Sequence, residues 1–333
     1  MAYYSGTATG PTDLLDKIRT ALVAEGWTEN DYSVDETGYR LHVQKVAQSG
    51  GPTMYFNFRS AINEYNTDIT EDNDYRELYG KITGICINGS TGYDAGESWD
   101  KQPGYSTNSE DNDYSWACVM SPMSVSAIPA YYIFFVGDSV HIVVEITSGK
   151  FQFMSFGCLE KQGAYTGGMY FTASMDSYQP YIGYYGPSNY YHPMYFSAYT
   201  YGNPAGAVYV DADSVASWRI TTTNYEIIFP CVVGQTANSS YSKTGICSMF
   251  WSKAPNFYNN LTAMAPLYIF VLRDDDNYSL LGWPEGVRFL NCTNYSAGQE
   301  LTYGTDTWKI FHADSLEDDP DNMYCGFAFK KET

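Results

Sequence analysis

Residues 131–146 have the sequence YYIFFVGDSVHIVVEI, in which Gly137-Asp138 separates two apolar runs. A Gly-Asp pair between β-branched and aromatic runs is typical of a tight hairpin turn. A second turn at Ser148-Gly149 leads into residues 151–156, FQFMSF. The stretch therefore predicts a three-stranded antiparallel meander, and its high apolar content indicates that this is the core sheet.

One helix is predicted before this meander, from about Asp13 to Glu25. Its apolar residues recur at helical spacing and form one stripe: Leu14, Leu15, Ile18, Ala21 and Leu22. Thr12 is the expected N-cap, and Gly26 is the expected left-handed stop. Because the stripe must be covered, we expect Trp27 to fold back onto it and the helix to pack against a sheet.

The rest of the chain predicts a mainly β protein. Apolar and polar residues alternate with a period of two around 41–44 and 54–59, and strand-like runs continue from 208 to 329. We expect antiparallel sheets in a β-sandwich or barrel-like arrangement, with a short N-terminal helix. Residues 1–120 are predicted to form the helix and a β module with an acidic loop. Residues 121–333 are predicted to form the remaining β-rich domain or domains.

Charge and composition exclude several classes of function. The chain has 18 basic and 38 acidic residues, a net charge of −20, so binding to nucleic acid or to an anionic membrane surface is not expected. The start of the sequence has no signal-peptide pattern, which predicts synthesis and folding in a cytoplasm. The seven cysteines are widely spaced, and we expect them to be reduced thiols that pack as small apolar side chains.

The sequence contains no recognisable catalytic motif. It has no Gly-x-Ser-x-Gly elbow or phosphate-binding loop, and His141 is expected to lie in a strand, facing opposite to Ile142. Glu145, in an otherwise apolar strand, is the first carboxylate to examine for glycoside hydrolysis, although an outward-facing position is the simpler interpretation. Acidic clusters at 274–277 and 317–322 leave calcium binding open, with a solvated turn favoured for the first. We predict no enzyme activity, no cofactor and no metal site.

Two acidic or aromatic segments are the candidates for contacts. Residues 88–116 are predicted to be a long exposed loop flanked by aromatic residues, and residues 178–206 are dense in tyrosine, proline and glycine. Tyrosine is frequent in protein interfaces, and aromatic faces also stack on sugar rings, so either a protein interface or a glycan contact is open. The candidate residues are Tyr181, Tyr184, Tyr185, Tyr190, Tyr191, Tyr195, Tyr199, Tyr201, Trp99 and Trp116.

Three blocks of the sequence together resemble a family of tailed-bacteriophage virion proteins. The first block is MAYYSGTA at 1–8 with the following helix and Trp27. The second is KFQFMSFG at 150–157 with GGMYFTA at 167–173. The third comprises GVRFLN at 286–291, GQELTYG at 298–304, TWKIF at 307–311 and GFAF at 326–329. The segments 64–116 and 178–206 do not resemble the family, and His312 stands where the family is expected to have proline.

The resemblance implies a virion structural protein encoded among tail genes. We therefore expect a homo-oligomeric subunit of the tail, baseplate or neck that acts by contacts with other virion proteins. A receptor-binding adhesin that recognises a host surface glycan is the alternative. A polysaccharide depolymerase is a third interpretation.

Overall fold

The computed structural model describes residues 3–34, 38–48, 50–65, 81–106, 117–121, 123–176, 206–212, 215–220, 227–228, 262–274, 277–312 and 325–332. Along these ranges one helix and 22 strands follow one another. They are β1 (Tyr3–Ala8), α1 (Pro11–Ala24), β2 (Thr28–Val34), β3 (Tyr39–Val46), β4 (Thr53–Tyr65), β5 (Lys81–Ser90), β6 (Cys118–Met120), β7 (Ile128–Val136), β8 (Ser139–Thr147), β9 (Lys150–Cys158), β10 (Glu160–Lys161), β11 (Thr166–Ala173), β12 (Met175–Asp176), β13 (Gly206–Ala212), β14 (Val215–Ile220), β15 (Ile227–Ile228), β16 (Ala265–Pro266), β17 (Ile269–Asp274), β18 (Asn277–Trp283), β19 (Val287–Asn291), β20 (Glu300–Tyr303), β21 (Asp306–His312) and β22 (Cys325–Lys331).

The described strands form four sheets, and the pairs within them are antiparallel. The central sheet has the order β1-β7-β8-β9-β11-β13-β14, and the helix-side sheet has the order β12-β6-β5-β4-β3-β2. The C-terminal sheet has the order β16-β19-β22-β21-β20, and the small sheet has the order β10-β18-β17-β15. The predicted β-rich, sandwich-like fold with one N-terminal helix is confirmed.

The central sheet is buried on both faces. On β7, Ile133 and Phe135 belong to one hydrophobic core, whereas Phe134 between them belongs to a second core. On β8, Ile142 belongs to the first core and its neighbour Val143 to the second. Two covered faces explain why the meander is apolar at nearly every position and does not alternate. The predicted hairpin turns at Gly137-Asp138 and Ser148-Gly149 are confirmed.

The helix-side sheet and α1 cover one face of the central sheet. Phe56 and Phe58 of β4 both contact Phe156 of β9, with ring centroids 5.1 Å apart in each pair. Trp27 lies in the same core, 5.8 Å from Phe156. Each fully buried phenylalanine of this kind stabilises the fold by roughly 1.5–3 kcal/mol.

The C-terminal sheet and part of the small sheet cover the opposite face. Phe329 of β22 stacks on Phe134 with ring centroids 5.2 Å apart, and Phe327 contacts Phe153 at 5.3 Å. Leu281 of β18 belongs to the same core. The molecule is thus a three-layer arrangement of sheets with the predicted meander in the middle layer.

The helix begins two residues before its predicted start. Pro11 is the first helical residue, because its fixed φ and missing N–H suit that position. The expected N-cap is therefore wrong: Thr12 lies inside the first turn, with its Oγ1 3.4 Å from Ser60 Oγ. The expected stop is confirmed, since Gly26 has φ 83° and the amide of Trp27 donates to the Leu22 carbonyl at 3.0 Å.

The predicted division near residue 120 stays a prediction. Strand β1, from the first segment, pairs with β7, from the second, with Tyr3 opposite Phe134. The core between the central and helix-side sheets also contains residues from both segments. The two segments therefore share a sheet and a core.

Candidate functional site

Most of the predicted contact residues lie outside the described residues. This applies to Trp116 and to the eight tyrosines of the 178–206 segment: Tyr181, Tyr184, Tyr185, Tyr190, Tyr191, Tyr195, Tyr199 and Tyr201. Trp99 is described, and its side chain is only 6% exposed. In this arrangement Trp99 presents little surface to a ligand or a partner.

The end of the first unfamiliar segment, 64–116, lies close to both ends of the second, 178–206. Asp176, which precedes the tyrosine-rich segment, pairs with Cys118 of β6, and Cys118 closely follows the acidic stretch 107–116. Gly206, which follows the tyrosine-rich segment, pairs with Thr172 of β11. Because Thr172 and Asp176 are four residues apart, the two ends of the segment lie within about 20 Å of each other. Both segments therefore start from one edge of the folded body.

Residues 91–106, which we call the strap, lie over the outer face of the helix-side sheet. The prediction of an exposed loop over 88–116 is confirmed in part: residues 91–106 contain no helix or strand and most are exposed, but 88–90 belong to β5 and Trp99, Asp100 and Gln102 are buried. The reason is that the main chain of the strap folds around the side-chain amide of Gln102. Gln102 Nε2 donates to the carbonyls of Asp94, Glu97 and Ser98 at 3.0–3.2 Å, and its Oε1 accepts the amide of Asp94 at 2.8 Å.

A row of polar side chains lies on the sheet face that the strap covers. Asp31, His42, Asn57 and Asn88 are opposite one another on four adjacent strands. Asn57 Nδ2 donates to Ser90 Oγ at 3.0 Å, so its Oδ1 accepts the Nδ1–H of His42 at 2.7 Å. Burial lowers the pKa of His42, which favours the neutral imidazole.

Two further residues of the strap contact this face. The ring of Tyr93 lies 5.2 Å from the imidazole of His42, and the carbonyl of Asp100 accepts from Asn88 Nδ2 at 3.5 Å. The sequence signal for this covered row is polar residues at alternate positions of β3, β4 and β5. That pattern by itself is typical of a solvated face, so the strap above it was not predicted.

An apolar cluster lies beside the polar row, also under the strap. Trp99 packs there with Cys86 and Val119. Burial raises the pKa of the Cys86 thiol to about 12, so the thiol is protonated. At the edge of the cluster Arg59 NH2 donates to Glu64 Oε2 at 2.6 Å. The cluster therefore combines a protonated thiol with a largely buried charge pair.

A serine and a histidine meet in the core on the other side of the central sheet. His141 faces opposite to Ile142, as predicted, and its Nε2–H donates to the carbonyl of Glu285 at 2.6 Å. That bond makes Nδ1 the acceptor for Ser155 Oγ–H at 2.8 Å. Ser155 Oγ then accepts from the hydroxyl of Tyr170 at 2.9 Å.

This serine–histidine pair is built to hold strands together. Ser155, His141 and Tyr170 are all buried, and burial lowers the pKa of His141 to about 4. A nucleophile needs an accessible oxygen and a base that accepts a proton near neutral pH, and neither condition is met here. The pair was not predicted from the sequence, although a histidine and a serine inside two apolar runs were a visible signal.

The remaining carboxylate candidates have local roles or lie outside the described residues. Glu145 Oε1 accepts the amide of Gly149 at 3.0 Å, so it caps the turn between β8 and β9. Asp274 and Asn277 pair across the β17–β18 hairpin, which fits the expected turn. The second acidic cluster, 317–322, lies outside the described residues. In the described ranges, no three His, Cys, Asp or Glu side chains are placed to hold a metal ion.

Two other expectations concern the cysteines and the membrane. Four cysteines whose side chains the structure describes are buried, as expected for small apolar side chains: Cys86, Cys118, Cys158 and Cys292. No helix in the described part of the chain is long and apolar enough to cross a membrane.

No protein-family model matches the sequence, and no curated protein matches it.

Proposed function

We propose that this protein is a structural subunit of a tailed-phage virion, in the tail, baseplate or neck. It works by binding neighbouring virion proteins, and no covalent bond is made or broken. The proposal rests first on the sequence resemblance. Its three blocks fall on β1 and α1, on β9 and β11, and on β19 to β22, which are all parts of the three-layer framework. The resemblance is therefore a resemblance of the framework.

The observation that carries the proposal is the shared origin of the two unfamiliar segments. Segment 107–116 ends and segment 177–205 begins next to the Asp176–Cys118 pair. A rigid framework that supports variable segments at one edge is a common way to build a binding surface, because the framework sets the position and the segments set the partner. We assign the subunit contacts to these segments, with the eight tyrosines as the principal contact residues.

The interior also supports a binding role over a catalytic one. The most enzyme-like pair, Ser155 and His141, is buried and hydrogen-bonded on both sides. Glu145, the first carboxylate to examine for hydrolysis, is used as a turn cap. These groups stabilise the sheets, which supports an architectural role for the part of the chain that the structure describes.

Mass spectrometry of washed particles tests the virion assignment. Peptides of this chain should be present at a constant ratio to the major tail proteins through repeated density-gradient purification. If the peptides wash away while the tail proteins remain, the virion proposal is wrong.

Substitution of the tyrosines tests the assigned surface. Replacing Tyr184, Tyr185, Tyr190 and Tyr191 together by alanine should reduce incorporation of the chain into particles. The matched control is Tyr303→Ala, because Tyr303 is 65% exposed and lies on strand β20, within a block that resembles the family. Normal incorporation with loss of adsorption to host cells would instead favour the adhesin, in which the same tyrosines contact a host glycan.

A further inference from the structure

The strap is held to the body of the protein mainly at its two ends. At one end Ser90 Oγ of β5 donates to the carbonyl of Gly92 at 2.9 Å, and at the other the amide of Ser106 donates to the carbonyl of Gly89 at 3.0 Å. A third bond comes from the edge of the central sheet, where Trp218 Nε1 donates to the carbonyl of Gly104 at 2.9 Å. The indole of Trp218, on β14, thus connects the strap to the central sheet, whereas the strap covers the helix-side sheet.

Between these ends the strap is bonded largely to itself. The four hydrogen bonds of Gln102 all go to main-chain atoms of the strap. Ser98 Oγ also donates to Asp100 Oδ1 at 2.8 Å. These internal bonds fix the shape of the strap independently of the sheet beneath it, to which its middle part is bonded through the Asp100 carbonyl and Asn88 Nδ2.

The closed position leaves polar atoms unsatisfied at the strap and on the face beneath it. Within the described structure, Asn88 Oδ1, Trp99 Nε1 and Ser106 Oγ are buried and have no hydrogen-bond partner. A buried polar atom without a partner loses the hydrogen bonds that it makes with water. Opening restores those bonds, which partly offsets the cost of exposing the apolar surface of Trp99.

We infer that residues 91–106 are a releasable strap, which opens as a unit while the three sheets stay folded. Opening breaks the Trp218–Gly104 bond, lifts Trp99 out of its cluster and uncovers the row from Asp31 to Asn88. Trp99 then becomes the exposed aromatic residue that its sequence context predicts. The inference does not depend on the virion proposal, because it rests on the bonds of the strap itself.

Two buried thiols make the opening measurable in the unmodified chain. Cys86 lies under Trp99, whereas Cys158 lies in the core between the central and helix-side sheets. Burial raises the pKa of Cys86 to about 12 and that of Cys158 to about 11. Because both thiols are buried and both pKa values are raised, the two should react at similar low rates without local opening.

The experiment is labelling with N-ethylmaleimide at a fixed pH, followed by peptide mass spectrometry of each cysteine. We expect Cys86 to be labelled at least about tenfold faster than Cys158 in the native protein. Trp218→Phe keeps the aromatic packing and removes the hydrogen bond to Gly104. It should therefore increase the labelling rate of Cys86 by a further factor of about five to ten. The matched control is Trp283→Phe, which removes an indole bond to Glu160 and should leave the Cys86 rate unchanged.

A second variant protects the test against a general loss of stability. Gln102→Ala removes the four hydrogen bonds that organise the strap. It should also increase the labelling rate of Cys86 and leave that of Cys158 unchanged. Equal labelling rates for Cys86 and Cys158 in the native protein would overturn the inference. Parallel acceleration of both thiols in both variants would also overturn it, since that result means global unfolding.

Discussion

His141 Nε2 lies 2.6 Å from the main-chain oxygen of Glu285, although the two residues are 144 positions apart in the sequence. The bond joins the central sheet to the turn between β18 and β19. Ser139 strengthens the same junction, because its Oγ accepts the amide of Glu285 at 3.2 Å. The middle layer and the layer that covers it are therefore joined by directional bonds as well as by packed rings.

Removal of the Ser155 hydroxyl should destabilise the protein. Ser155→Ala leaves the buried His141 Nδ1 without its donor and removes one hydrogen-bond partner of the Tyr170 hydroxyl, which also interacts with Ser139. We expect a decrease of about 1–3 kcal/mol in the free energy of unfolding, measured by urea denaturation. The control is Ser5→Ala on the exposed side of β1, which should change stability by less than about 0.5 kcal/mol.

The buried imidazole of His141 should make stability depend on pH. Its pKa is about 4 in the folded protein against a usual value of 6.5, so below pH 6.5 the unfolded chain binds a proton that the folded chain does not. The contribution of neutral His141 to the free energy of unfolding is fully present above about pH 6.5, and it decreases as the pH falls to about 4. The total contribution is about 3 kcal/mol.

Urea denaturation of the wild type and His141→Gln across pH 4 to 7 measures this contribution. The wild type should lose more stability than the variant over that interval, and the two curves should run parallel above pH 7. A pH dependence that is identical in both proteins would assign the effect to other groups. His42 is retained in both proteins, and its lowered pKa therefore cancels in the comparison.

Gly286 should tolerate no side chain. Its φ is 76°, and an added Cβ would lie 2.4 Å from Cγ2 of Val136. Gly298 has nearly the same φ, 77°, but its nearest neighbour would be the Cε of Lys309 at 4.0 Å. Gly286→Ala should therefore lower the free energy of unfolding by about 1–3 kcal/mol more than Gly298→Ala, since only the first adds a steric clash to the backbone strain. Equal losses in thermal or urea unfolding would show that the β7 contact has space to adjust.

Asp13 should contribute to the start of the helix. Its Oδ2 accepts the amide of Thr9 at 2.9 Å, and this bond is the main reason that the pKa of Asp13 is lowered. We expect Asp13→Ala to cost about 1 kcal/mol at pH 7. Asp13→Asn keeps an acceptor and loses the charge, so its cost should be smaller. The difference in free energy of unfolding between wild type and Asp13→Ala should shrink as the pH falls below the ordinary pKa of aspartate. The interactions that lower the pKa of Asp13 stabilise its ionised form, and protonation weakens them.

The sequence by itself determined the local parts of this fold. The hairpin at Gly137-Asp138 and the helix stop at Gly26 depend on residues close together in the chain, and both were predicted correctly. The wrong N-cap is a local error of another kind: Pro11 starts the helix because it has no N–H to lose, and this outweighed the hydroxyl of Thr12.

Only the tertiary structure decided which surfaces of these elements are covered. The apolar run of β7 is the same whether one face or two are buried, and the strands of the C-terminal sheet that cover its second face begin with β19, more than 150 residues later in the chain. The strap was predicted to be exposed because its composition is polar, but Gln102 satisfies its main chain and Trp99 fills a cluster beneath it. Burial and hydrogen bonding depend on contacts between distant residues, and a pattern of neighbouring residues does not contain that information.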